Sequence, residues 1–294
     1  MTDFRLEILT NGFKKISNKK YESFCGHILY DRLRRYNVEM RFQQYVKRPN
    51  NKYALIDFCF PLGKGIYYGI EVDEAQHKRT QEVDKIRENQ IYQAIENITI
   101  RRIDVADTTE EAIFNRCDEI ADEIIAKIKE LGDDFQPWRE MTSDAYKKKG
   151  YFNVNECDYI NTMKELCEAF NFEPKKAGWF GPKYHQMLPS DKYDNVEIVT
   201  LQTGRTDWEN NINSDGTEII EDRISNDKAH KSWVEKIILG NPTISRAVFL
   251  KERSNPLGIN AYRFIGVFKL DAERTRKENK AYWYKVSDII KIEQ

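Results

Sequence analysis

The sequence predicts two domains of different class, an α/β domain with a mixed sheet followed by a β-rich domain. Three observations carry this reading. A β-hairpin, a helix and a further strand follow one another between residues 54 and 105. Apolar residues repeat at helical spacing on either side of that block. From Tyr151 onward, short β-branched and aromatic runs alternate with turn signals. A chain of 294 residues has room for two domains. The expected division is 1–132, a linker over 133–150, and 151–294.

In the first domain, residues 6–16 are apolar at helical spacing, and Ser17 reads as the N-cap of a second helix over 19–36. Tyr21, Phe24, Ile28, Leu29 and Leu33 form the core face of that helix, with Glu22 off it. Residues 38–45 alternate and read as a strand leading into the Arg48-Pro49-Asn50-Asn51 turn. Residues 54–60 and 66–72, separated by Pro61-Leu62-Gly63-Lys64-Gly65, form the hairpin. A helix over 82–95 and a strand over 98–105 follow. Ile113, Ile120, Ile124, Ile125 and Ile128 mark an amphipathic helix over 109–131, which Gly132 ends. Residues 133–150 lack periodicity, with Trp138 expected to pack down onto a domain surface.

The hairpin carries acids where a buried strand should be apolar: Asp57, Glu71 and, just after, Asp73. A carboxylate is costly to desolvate unless it is paired or binds a cation. Converging carboxylates on adjacent strands suit Mg²⁺, which takes oxygen ligands and usually only one or two carboxylates. Such an ion can engage a phosphate oxygen and activate a water for in-line attack. This is nuclease chemistry.

Composition narrows the alternatives. No window approaches 18 consecutive apolar residues, so no transmembrane helix is expected. The N-terminal stretch lacks a secretory signal pattern. Cys25, Cys59, Cys117, Cys157 and Cys167 are scattered, without a zinc-type pair, and the cytoplasm is the expected compartment. No Gly-rich phosphate loop or Ser/His/Asp arrangement is visible. A net charge of −1 does not announce a nucleic-acid binder, although a local basic face suffices for one.

In the second domain, a short helix is expected over 159–170, with strands over 196–203, 217–222, 246–251 and 262–270. The loops hold Thr206-Asp207-Trp208-Glu209-Asn210 and Asn213-Ser214-Asp215-Gly216. Reading a single base requires taking it out of the duplex, stacking it and hydrogen-bonding its edge. Trp208, Asn213, Asp215 and Glu218 offer a ring, an amide and carboxylates able to accept from a cytosine amine. Trp208 as a core lid and NSDG as a plain turn is the competing reading.

Asp57-Phe58, Ile70-Glu71-Val72-Asp73, His77, Asp84, Arg87 and Arg101-Arg102-Ile103 together resemble the Vsr-like branch of the PD-(D/E)XK nucleases. The position usually held by Lys is Asp73 here. Ile16-Ser17-x-Lys19-Lys20-Tyr21-Glu22, Gln43-Gln44-Tyr45-Val46-x-Arg48-Pro49 and Asp207-Trp208…Ser214-Asp215-Gly216 resemble the AbaSI/PvuRts family of modification-dependent restriction endonucleases.

The resemblance implies a Vsr-like nuclease domain followed by an SRA-like domain. It implies Asp57 and Glu71 as ligands of Mg²⁺, with substitution by Mn²⁺ left open. The general base and water-orienting group stay open between Asp73, His77 and the Gln43-Gln44 pair, and Glu22 is an acidic candidate on the first-domain helices. It implies recognition of 5-hydroxymethylcytosine, often also its glucosylated form, in double-stranded DNA by base flipping. Trp208, Asn213, Asp215, Glu218 and Gln202 line the pocket in this reading. Cleavage at a distance and a homodimer joined through the nuclease domains are the further implications. An endonuclease triggered by 5-methylcytosine or by sequence alone, and a catalytically inactive reader, are the alternatives.

Overall fold

The computed structural model divides the chain into two compact units. One comprises Met1–Glu140 with Pro256–Gly258, the other Met141–Asn255 with Ile259–Gln294. The structure describes residues 4–49, 52–73, 81–171, 185–189, 191–203, 208–223, 227–240, 243–252 and 255–293. Among them no helix is long and apolar enough to cross a membrane.

The first unit is α/β. Helices α1 (Phe4–Lys15) and α2 (Lys20–Leu33) precede β1 (Arg41–Lys47), β2 (Tyr53–Gly63) and β3 (Ile66–Asp73). Then come α3 (Gln81–Ala94), β4 (Ile98–Asp104) and α4 (Glu110–Leu131). The sheet order is β1-β2-β3-β4, antiparallel except for the parallel β3–β4 pair, which α3 connects. Helix α4 starts where Thr109 accepts from the Ala112 amide, and its buried stripe is Ile113, Cys117, Ile120, Ala121, Ile124 and Ile128. This stripe meets Leu29 and Leu33 of α2 and Phe58, Phe60 and Ile70 of the sheet in one core. A Cβ at Gly12 would lie 2.2 Å from Phe42 Cδ2, so α1 sits against β1 only because position 12 carries no side chain.

Two details of α2 differ from the sequence expectation. Ser17 does not cap it: its hydroxyl donates back to Lys14 O, and Lys19 is the N-cap without a side-chain bond. The buried residues are Glu22, Cys25, Gly26, Ile28, Leu29 and Leu33: Ile28, Leu29 and Leu33 lie on the expected core face, while Tyr21 is exposed and Glu22 faces inward.

The expected linker is divided. Trp138 is buried in the first core, its amide donating to Asn37 O at 2.7 Å. In the second unit α5 (Ser143–Lys149) is capped by Thr142 and closed by Gly150 at φ 83°. Seven residues with three consecutive lysines show no apolar period, so local capping alone marks this helix.

The second unit continues with β5 (Tyr151–Asn153), β6 (Tyr159–Ile160) and α6 (Met163–Ala169), which a Thr162–Glu165 capping box starts. The expected helix over 159–170 is therefore a strand followed by a helix. Next come β7 (His185–Met187), β8 (Val196–Thr203), β9 (Trp208–Ile212), β10 (Glu218–Arg223) and α7 (Asp227–Gly240). Strands β11 (Ser245–Glu252) and β12 (Tyr262–Leu270), helix α8 (Ala272–Glu278), β13 (Ala281–Ser287) and β14 (Ile289–Lys291) complete it. Its main sheet runs β7-β8-β11-β12-β13-β10-β9, with β6 added to β12. One face packs on Phe152, Leu166 and Phe170, the other on Ile237 of α7. Asn210 on β9 donates from its amide nitrogen to Gln202 O on β8 at 2.8 Å, joining strands distant in the sheet order. The sheet is curled.

Residues 208–210, expected as loop, form the start of β9. The run WENNI is mostly polar, and pairing with β10 rather than intrinsic preference makes it a strand.

Candidate functional site

The first constellation is built on three neighbouring strands and one helix. Asp57 sits on β2 between Ile56 and Phe58, both fully buried, and Glu71 follows Ile70 on β3, where Phe58 pairs with Ile70. Both carboxylates are buried, as is Glu22 on α2. Gln43 joins them: its amide nitrogen donates to Glu22 Oε2 at 2.8 Å and to Asp57 Oδ1 at 2.9 Å. It can reach both because β1 is irregular at this point. Phe42 pairs with Phe58 and Gln44 with Ile56, and Gln43 between them adopts φ 50°, the left-handed region that non-glycine residues enter at a cost.

The remaining bonds fix each acid. The Val72 amide donates to Asp57 Oδ2 at 2.9 Å, so both Asp57 oxygens are oriented. Lys19 donates to Glu22 Oε1 at 2.6 Å. Arg87 on α3 donates to Glu71 Oε1 at 2.9 Å. Burial pushes the Glu71 carboxyl up to about 7, Arg87 opposing the shift and Asp57 adding to it.

Asp73, at the end of β3, has both oxygens engaged by Arg102 Nη1, at 3.0 and 2.9 Å, and Arg102 also reaches Glu88 at 3.1 Å. Gln44 donates to Tyr45 O and to Leu257 O, away from the acids. His77 lies outside the described residues, as does the side chain of Asp84. The structure thus brings together Glu22, Gln43, Asp57 and Glu71, and adds Lys19, which sequence reasoning missed. Its sequence signals were its place three residues before Glu22 and its membership of the Ile16–Glu22 segment that carries the resemblance.

Among the described residues no group of three or more His, Cys, Asp or Glu is placed to hold a metal ion. Asp57 and Glu71 nevertheless fit the demands of Mg²⁺. They are buried oxygen donors on adjacent strands, and one or two protein carboxylates are the usual share, the rest being water. Burial is the main cause of the raised Glu71 carboxyl, with the Asp57 charge a smaller part, and a cation beside the pair would offset both.

The second constellation lies on the face of the curled sheet that carries Ile219 and Trp283. Glu221 and Asn210 pair in register across β10 and β9. Asn210 Oδ1 is buried without a partner. Glu221 Oε2 accepts from Trp283 Nε1 at 2.8 Å and from Arg246 Nη1 at 3.1 Å, and Arg246 also donates from Nε to Glu197.

The residues expected to line a base pocket are distributed over the β9–β10 turn, β8, β9 and β10. Asn213 and Asp215 form the exposed β9–β10 turn, with their side chains bonded to Thr217 and to the Glu218 amide. Glu218 pairs with Arg274 on α8. Gln202 contributes its carbonyl to Asn210. Trp208 opens β9 opposite Arg223, and its side chain lies outside the described residues. Asn210, Glu221 and Arg246 were missed because each sits in a segment whose local pattern reads as loop or ordinary strand.

Comparison with known proteins accords with this two-part arrangement. Residues 6–132 match the family described as restriction endonuclease PvuRts1 I-like, N-terminal, and residues 145–292 match the SET and RING associated domain. The chain thus belongs to the proteins with a SET and RING associated domain, here preceded by a PvuRts1 I-like restriction endonuclease N-terminal domain. A solved structure described as "The 5-Hydroxymethylcytosine-Specific Restriction Enzyme AbaSI" is similar over 97% of this chain and 97% of that one, with a TM-score of 0.53 and 23% identity. At that identity the likeness is one of fold. No curated protein matches.

Proposed function

We propose that the chain is a divalent-metal-dependent DNA endonuclease that recognises 5-hydroxymethylcytosine, with or without glucose, and cuts at a distance from it. The observation that carries this is the Gln43 amide bridging Glu22 and Asp57 beside the buried Glu71. Such an arrangement is costly in a fold without a use for it. The likeness of the whole chain to a 5-hydroxymethylcytosine-specific enzyme supports the choice of base.

In this reading Asp57 and Glu71 hold Mg²⁺, for which Mn²⁺ substitutes. A divalent ion held by these two carboxylates would supply Lewis-acid polarisation of the phosphodiester and activation of a water. Gln43 and the Val72 amide keep the Asp57 oxygens in place, and Arg87 does so for Glu71. In this reading Glu22, which accepts from Lys19 and Gln43, takes a proton from the attacking water. Asp73, engaged by Arg102, braces the end of β3, and His77 remains a candidate for the same proton transfer.

In the second unit the modified cytosine is flipped against the β9–β10 face, where Asn210 and Glu221 accept from it. Trp208 supplies the stacking ring, and Gln202 anchors Asn210. Asn213, Asp215 and Glu218 hold the turn that joins the two strands. One such centre cuts one strand, so two chains acting as a homodimer make a double-strand break.

The test is digestion, with Mg²⁺, of matched duplexes containing cytosine, 5-methylcytosine, 5-hydroxymethylcytosine or its glucosylated form, with Asp57→Ala alongside. Cleavage confined to the last two substrates, and lost in the variant, is expected. Equal cleavage of all four rejects the reader half of the proposal. Undiminished cleavage by Asp57→Ala rejects the nuclease half.

A further inference from the structure

Arg246 on β11 is a buried cation, 4% exposed. Its Nε donates to Glu197 on β8, and its Nη1 donates to Glu221 Oε2 on β10 at 3.1 Å. The guanidinium carbon lies 3.6 Å from the Trp283 ring centroid, and the indole of that ring donates to the same Glu221 oxygen at 2.8 Å. A planar fork stacked on a ring and bonded at two nitrogens has little freedom to turn. Two donors from two strands therefore converge on Oε2, and the Glu221 side chain is held in one orientation.

What this leaves open is informative. Among the described residues nothing donates to Glu221 Oε1, and 14% of that side chain remains exposed. Opposite Glu221 in register is Asn210, whose nitrogen is committed to a main-chain carbonyl, Gln202 O. A carbonyl can only accept, so the Asn210 amide has its oxygen on the other side. That oxygen is buried and has no partner. The two strands thus present two neighbouring acceptors and no donor, which suits a group carrying two N–H bonds or an N–H and an O–H.

We propose that Arg246 is a positioning residue for base choice. With Trp283 it fixes Glu221 as an acceptor beside Asn210, so that the site admits a base with an exocyclic amine and rejects one with a carbonyl at that position. The inference rests on the proposed binding of the flipped base at the β9–β10 face. Arg246 itself touches no base in this arrangement: it acts through Glu221.

The test uses the full chain without divalent metal and two duplexes that differ at one position. One carries 5-hydroxymethylcytosine opposite guanine, the other 5-hydroxymethyluracil opposite adenine. Both modified bases have the same 5-substituent, while the amine is exchanged for a carbonyl and N3 changes from acceptor to donor. The parent is expected to bind the first at least tenfold more tightly. Arg246→Lys keeps the charge but loses the fork, and is expected to reduce that ratio about tenfold. A merely structural role would weaken both complexes alike and leave the ratio unchanged. A folded Arg246→Lys protein that retains the parental ratio overturns the proposal.

Should Arg246→Lys not fold, Trp283→Phe keeps a smaller ring for stacking and removes the indole donor. A reduced ratio supports the proposal, and an unchanged one overturns it. Asn210→Ala and Glu221→Gln test the underlying reading separately. If both bind the hydroxymethylcytosine duplex like the parent, the base does not sit at this face, and the inference falls with that reading.

Discussion

Arg87 ties Glu71 to the strand that carries the other buried acid. Its Nη2 donates to Glu71 Oε1 at 2.9 Å and to Leu55 O at 2.7 Å, two residues before Asp57 on β2. One guanidinium therefore couples the position of a carboxylate on β3 to the backbone of β2.

Replacing this arginine should be costly, though less so than for an acid locked in its charged form. In Arg87→Met, Glu71 loses its counter-charge and can take a proton instead. The expected loss is about 2 kcal/mol of unfolding free energy in the metal-free protein. Denaturant titration measures it. Adding Glu71→Gln to the same chain should recover most of the loss, whereas simple additivity would show that the two side chains act independently.

The raised Glu71 carboxyl gives a pH dependence with a definite sign. Burial moves it from 4.5 to about 7, so between these values the folded chain holds a proton that the unfolded chain releases. The associated stability is complete below the unfolded value and is lost as pH rises through about 7. The span corresponds to roughly 3 kcal/mol. The measurement is the difference in unfolding free energy between the metal-free parent and Glu71→Gln across this range. A flat difference would show that the folded-state carboxyl is not raised.

Gln43 separates backbone strain from side-chain work. At φ 50° the position favours glycine, while the amide holds Glu22 and Asp57 together. Gln43→Gly should stay within about 1 kcal/mol of the parent, because relief of strain offsets the lost hydrogen bonds. Gln43→Ala should be less stable than Gln43→Gly by about 1 kcal/mol. Both should lose most strand cleavage. Thermal unfolding of the pair checks the stability order, and supercoiled-plasmid nicking checks activity.

For Asp57→Asn, cleavage should fall by roughly 10³-fold, equivalent to about 4 kcal/mol of transition-state stabilisation. Binding of a hydroxymethylated duplex should be unchanged, because the substitution lies in the first unit. Chelation of divalent metal should reproduce the same split in the parent, reversibly. Loss of binding with loss of cleavage would count against separate reading and cutting functions.

The parts of the fold that were legible in the sequence are those fixed by local pattern. The hairpin of β2 and β3 announced itself by two apolar runs around a Gly-rich turn, and the acids inside those runs marked the candidate site. Helix α4 was legible from its isoleucine spacing. What escaped depends on partners remote in sequence. Glu22 turns inward because Gly26, four residues on, lets the helix approach Phe58. Gln43 reaches it through a single left-handed residue that no periodicity predicts. In the second unit WENNI becomes a strand through β10, and the Asn213–Gly216 turn offers polar groups that its own backbone and Thr217 take up. Arg246 and Glu221 are 25 residues apart and meet only once the sheet has formed.

Pro256–Gly258 belongs to the first unit although these residues are made long after the rest of it. The Lys47 amide donates to Pro256 O at 2.6 Å, and Gln44 donates to Leu257 O at 3.0 Å, one residue from Gln43. Chains emerge from the ribosome N-terminus first, and domains generally fold as units in that order. The strand bearing Gln43 thus waits for its last partners until residue 258 has been translated. During synthesis, a nascent chain holds the Gln43 constellation short of its finished surroundings while the strands β8 to β11 are being made.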